Sequence, residues 1–87
     1  MGNRFKSKEN YGAVAITPSD ATDLSSYELR GLYVGSAGDI AIEQPGNDTP
    51  VVLVAVPAGS ILPIAVTKVN ATGTTDGGSR TGIVGLL

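Results

Sequence analysis

The chain contains no cysteine, no histidine and no tryptophan. Each absence removes a class of chemistry. Without Cys there is no disulfide to staple a small fold and no thiolate nucleophile. Without His there is no imidazole base or ligand, and a zinc site would have to be built from carboxylates alone. No apolar run approaches the roughly 20 residues needed to span a bilayer, so no membrane partner is expected. The start, MGNRFKSKENYG, has basic residues with no apolar stretch behind them, and does not read as a secretion signal. Met-Gly opens it, but the myristoylation pattern needs Ser or Thr where Lys6 stands. The lack of Cys fits synthesis in a reducing cytosol.

What remains is aliphatic and turn-rich. Of 87 residues, 12 are Gly, and 41% are hydrophobic while only 5% are aromatic. The length allows one domain, whose core must be made of Val, Ile, Leu and Ala, residues suited to a pleated sheet. A chain this size buries only roughly 60–65% of the surface its unfolded form exposes. With disulfides excluded, oligomerisation is the expected remedy for so thin a core. Charge divides the chain. Residues 1–11 set Arg4, Lys6 and Lys8 against Glu9, a net of +2, while the rest sets three cations against seven acids, a net of −4. Residues 1–10 therefore read as a flexible basic N-terminal arm, and residues 11–87 as a single β domain. An acidic body with no basic stripe and no stacking aromatics excludes a nucleic-acid partner.

Period-two alternation marks the strands. Tyr11 to Thr17 puts Val14 and Ile16 on one face, and Pro18 ends it. Leu29–Val34, the Gly35-Ser36-Ala37-Gly38 turn and Asp39–Gln44 read together as a hairpin, with Ile40 and Ile42 inward and Ala41 outward. QPGNDTP reads as a loop. Val51–Val56, VVLVAV, is apolar on both faces, as in a strand covered by the core on one side and a neighbouring subunit on the other. This makes Val51, Leu53 and Ala55 the candidate subunit-interface residues. Ile61–Val69 reads as the longest strand, with Pro63 confined to an edge or a strand start. Asn70 to Ser79 reads as a flexible loop, and Ile83 to Leu86 as a closing strand. The expected fold is all-β: a small antiparallel sandwich or barrel, jelly-roll-like, of about six short strands with an extended N-terminal arm.

No catalytic constellation is visible. There is no G-x-S-x-G motif, and the carboxylate pairs Asp20 with Asp23, Asp39 with Glu43, and Asp48 with Asp76 fall in turns or on solvent faces. The loops around Asn47-Asp48 and Asp76-Gly77-Gly78 are permissive for calcium, but neither has EF-hand spacing. Gly73 to Gly78 lacks the G-K-[ST] ending of a phosphate loop. Asn47-Asp48-Thr49 and Asn70-Ala71-Thr72 match the glycosylation pattern but read better as turns. No enzyme activity, cofactor or metal is expected.

The runs RGLYVGSAGDIAI, residues 30–42, and VPAGSILPIAVTKVNATGTT, residues 56–75, resemble the head spike base proteins of gene transfer agents and related tailed bacteriophages. The likeness extends from near Ala21 to Leu87, with an expanded loop at Asp76-Gly77-Gly78-Ser79. It implies a virion structural protein on the capsid surface: a β-rich base at the vertex, in five copies, joining the major capsid protein to a head spike or fibre protein. Residues 1–10 lie outside this likeness; from their charge, Arg4, Phe5, Lys6 and Lys8 are the candidates for docking on an acidic capsid surface, with Phe5 as apolar anchor. Two other roles remain open at this stage: a capsid decoration (cement) protein at lattice positions, and a carbohydrate-binding or adhesin module. The last would need exposed aromatic platforms, and only Phe5, Tyr11, Tyr27 and Tyr33 exist, of which Tyr33 is expected to be buried.

Overall fold

A computed structural model describes residues 12–87, and their alternating aliphatic segments form seven short strands. They are β1 (Ala13–Ile16), β2 (Gly31–Val34), β3 (Gly38–Gln44), β4 (Asn47–Val56), β5 (Ser60–Leu62), β6 (Lys68–Asn70) and β7 (Ile83–Leu86). Single 3-10 turns occur at Ser25–Tyr27 and Gly77–Ser79. The strands make two antiparallel sheets, one ordered β1-β7-β2-β5 and the other β4-β3-β6. The all-β antiparallel sandwich expected from the pattern is therefore present. Residues 1–11, including the arm and the expected strand start at Tyr11, lie outside the described residues.

Register explains the core. Ile16, Ile83 and Val34 stand in one row on the inner face of the four-stranded sheet, and Val14, Gly85, Leu32 and Leu62 in the next. Ile40, Ile42 and Val69 oppose them from the other sheet. Leu32, Val34 and Ile40 are fully buried, and the buried cluster is aliphatic throughout. Each such side chain contributes roughly 1.5–3 kcal/mol on burial. Gly85 faces this core because a Cβ there would come within 2.6 Å of Leu29 Cδ2.

Four sequence expectations need correction. Leu29–Val34 and Asp39–Gln44 do not form a hairpin, because β2 and β3 belong to different sheets. The turn between them is an arch. The Gly35 N–H donates to Gly82 O at 2.8 Å, and the buried Arg80 guanidinium donates to the carbonyls of Ser36, Asp39 and Thr75. Gly38, at φ 148, lies against Thr75 and the Arg80 guanidinium, where a Cβ would come within 2.8 Å of Thr75. The hairpin is instead β3–β4, turning at Pro45-Gly46, so QPGNDTP is mostly strand. Pro50 is tolerated there because β4 is an edge strand. The Ile61–Val69 segment breaks at Pro63, leaving β5 in one sheet and β6 in the other, which raises the count to seven.

The fourth correction concerns residues 70–79. They are built into the three-stranded sheet rather than standing apart from it. The Thr74 hydroxyl accepts the Ala41 N–H at 2.9 Å and donates to Asn70 O at 2.6 Å, so it is inserted into the β3–β6 ladder. Ala41, expected outward and exposed, is buried beneath this loop at 1% exposure. Asn70 is buried as well, which removes the glycosylation reading at that position. Thr74→Val should leave one buried donor and one buried acceptor unpaired. We expect a loss of about 2–4 kcal/mol in urea unfolding. Thr74→Ser, which keeps the hydroxyl, should cost less than about 1 kcal/mol.

Candidate interaction surface

Edges and outer faces decide what this sandwich can touch. The free edge of β6 is covered by the chain itself: Ser19 N–H donates to Val69 O and Leu24 N–H to Thr67 O, both at 2.8 Å. Asp20 anchors this cover. Its carboxylate accepts from the Thr72 hydroxyl at 2.6 Å and from the Thr72 N–H at 3.0 Å. These bonds hold its pKa below the usual carboxylate value. Asp23 is lowered similarly by the Ser25 N–H, at 2.8 Å.

The opposite edge, β4, is uncovered among the described residues. The Ala41 N–H points to Thr74, so the neighbouring Ile40 and Ile42 amides point to β4. Their partners Leu53 and Val51 point back, and Pro50, Val52 and Val54 turn their backbone to the open edge. Val54 is 72% exposed and Val52 46%. Of the interface candidates named from sequence, Leu53 packs partly on the core, and Val51 sits at its rim, 38% exposed. Ala55 is exposed in a bulge at φ 57, where Asp39 Oδ1 accepts its N–H at 2.9 Å. Sequence reasoning missed Val52 and Val54 as the outward pair. The signal was parity with Leu53 once β4 is placed at an edge. The arm candidates Arg4, Phe5, Lys6 and Lys8 lie outside the described residues.

The outer face of the four-stranded sheet is a second apolar surface. Ala15, Val84, Tyr33 and Ile61 stand in one row across it, with Ile61 64% and Tyr33 38% exposed. Tyr33 is thus not buried as expected, because its odd-numbered register points away from the core.

At the Pro45 end of the sandwich lie two adjoining depressions. One, of about 430 Å³, is lined by Leu29, Ala65 and Val66 with Glu28 and Arg30 at its rim. The other, of about 290 Å³, holds Asp23, Glu43, Asp48 and Lys68. Lys68 lies 3.9 Å from Glu43 and donates to Asp20 O at 3.2 Å. The carboxylates thus mainly tie loops together. Of the carboxylates paired from sequence, Asp20 is held by Thr72 and Asp39 by Ala55. Among the described residues no three acids gather to hold a metal ion.

Comparison with known proteins bears on what these surfaces serve. No protein-family model and no curated protein matches the sequence. Among solved structures, a chain of the capsid of a native gene transfer agent (GTA) particle, computed with C5 symmetry, superposes with a TM-score of 0.70. It is 34% identical, over 87% of this chain and 81% of that one. The chain belongs to the family of gene transfer agent capsid-related proteins. Members of this family are virion structural proteins, which gives the exposed apolar edge and sheet face an assembly as their natural setting.

The Asp20 anchor makes stability acid-sensitive in a defined way. A carboxylate whose folded-state pKa is lowered stabilises the fold above its unfolded value of 3.8, and that contribution is lost as pH falls through the folded pKa. Asp20→Asn should therefore lower the urea midpoint at pH 7, and the gap to the unsubstituted chain should shrink as pH falls below 3.8. A gap that stays constant with pH would show that the carboxylate charge is not what anchors the cover.

Proposed function

We propose that this chain is the base on which a head spike or fibre is mounted at the capsid vertex of a phage-like particle. In this reading five copies form a ring, one side meets the major capsid protein, and the other carries the spike. The role is structural and non-enzymatic, on the outer surface of a virion assembled from host-made subunits.

The observation that carries the reading is the likeness to a chain of a particle computed with C5 symmetry, at 34% identity over most of both chains. The vertex placement and the five copies are part of the proposal; a ring at such a site is built from repeated contacts between identical subunits. The apolar second half of β4, Val51–Val56, and the uncharged outer sheet face support it, since exposed apolar patches of this kind mark protein contacts. The basic residues Arg4, Lys6 and Lys8, with Phe5 as anchor, are assigned to docking on an acidic capsid surface, where charge steers the encounter.

Copy number on purified particles tests the placement. Vertex occupancy gives multiples of five at each vertex, whereas a lattice cement protein is present in severalfold more copies. Deleting residues 2–10 should strip most of the protein from particles while leaving its urea midpoint unchanged. Full occupancy by the truncated chain would remove the arm from this reading.

A further inference from the structure

The four strands of the larger sheet, AVAI, GLYV, SIL and IVGL, contain no charged residue. Only one face of that sheet is used by the core. A strand set that is apolar on both faces is the pattern of a sheet covered on both sides. On the opposite side of the sandwich, Val52 and Val54 are exposed on the open edge strand. The molecule thus carries two apolar patches that differ in shape and sit on opposite outer faces.

We propose that copies of this chain associate head to tail, the Tyr33, Ile61 and Val84 face of one copy packing on Val52 and Val54 of the next. A twofold contact of either patch with itself would leave the other bare. The head-to-tail contact covers both, and it closes into a ring when its rotation closes. Charge agrees with this pairing. Arg30 is exposed at the start of β2, and Asp48 near the start of β4. Both lie at the Pro45 end, Arg30 in one depression beside Pro45 and Asp48 in the other. Rotation about an axis running along the strands keeps that end level between copies, and the proposed contact pairs Arg30 of one copy with Asp48 of its neighbour. The contact takes its biological setting from the proposed spike-base reading but stands on surface chemistry alone.

Two exposed substitutions separate the arrangements without touching the core. Val54→Asp blocks the edge patch, and Ile61→Asp blocks the sheet-face patch. In native mass spectrometry of the full chain, each variant alone should be monomeric, its self-association weakened at least about tenfold. An equimolar mixture should form a one-to-one heterodimer and nothing larger, because a single good interface remains between the two. Arg30→Asp should weaken association, and the double variant Arg30→Asp with Asp48→Arg should recover it. Self-association of either variant alone, a mixture that stays monomeric, or an unsubstituted chain that is monomeric at its highest soluble concentration would each overturn the inference. Vertex copy number on particles is read independently, so a failed interface with five copies per vertex would sink only the interface.

Discussion

A guanidinium buried beneath the arch between β2 and β3 sets the relation of the two sheets. Arg80 is 3% exposed, and its terminal nitrogens donate to the carbonyls of Ser36, Asp39 and Thr75. Charge-assisted bonds of this kind are roughly twice as strong as neutral ones, and the cost of burying the charge makes the geometry demanding. Two segments distant in sequence, residues 36–39 and 75–80, are tied at one point. The arch leaves one sheet and enters the other around this side chain, which bonds the Ser36 carbonyl and shares the Asp39 carbonyl with the Thr75 N–H. The Arg80 Nε has no partner among the described residues, so the clasp carries some uncompensated burial.

From that clasp the rest of the sandwich follows. Once β2 and β3 are in separate sheets, the β3–β4 hairpin must place β4 at an outer edge, and Pro63 must let the chain cross back to reach β6. The loop after β6 then folds over Ala41, with the Thr74 hydroxyl completing the ladder and Asp20 pinning the cover of the β6 edge. One edge of the smaller sheet is closed by the chain, and β4 is left open among the described residues. Edge strands with exposed apolar side chains are ordinarily avoided unless something pairs with or packs on them. A virion protein, which spends its working life against neighbours, is a setting in which such an edge is useful.

The interaction surface was only partly legible beforehand. VVLVAV announced a strand with two apolar faces, and this held in kind, since Leu53 turns toward the core while Val52 and Val54 turn out. The individual interface residues depended on which neighbour β4 had, which local pattern does not encode. Tyr33 was expected to be buried, yet its register with Val84 and Ile61 puts it on the outer face. Val14, Ile16, Ile40, Ile42 and the Ile83–Leu86 strand were readable, because alternation and burial agree there.

The all-β class, the aliphatic core and the absence of thiol and imidazole side chains were thus determined by the sequence by itself, since period and composition are local properties. Which strands pair was decided only in the tertiary structure. Gly-Ser-Ala-Gly can close a hairpin or an arch with equal ease, and the choice rests on Arg80 and Gly82, more than forty positions further along the chain. Local residues specify a turn, but the hydrogen-bond partners that stabilise one form of it arrive from elsewhere in the fold.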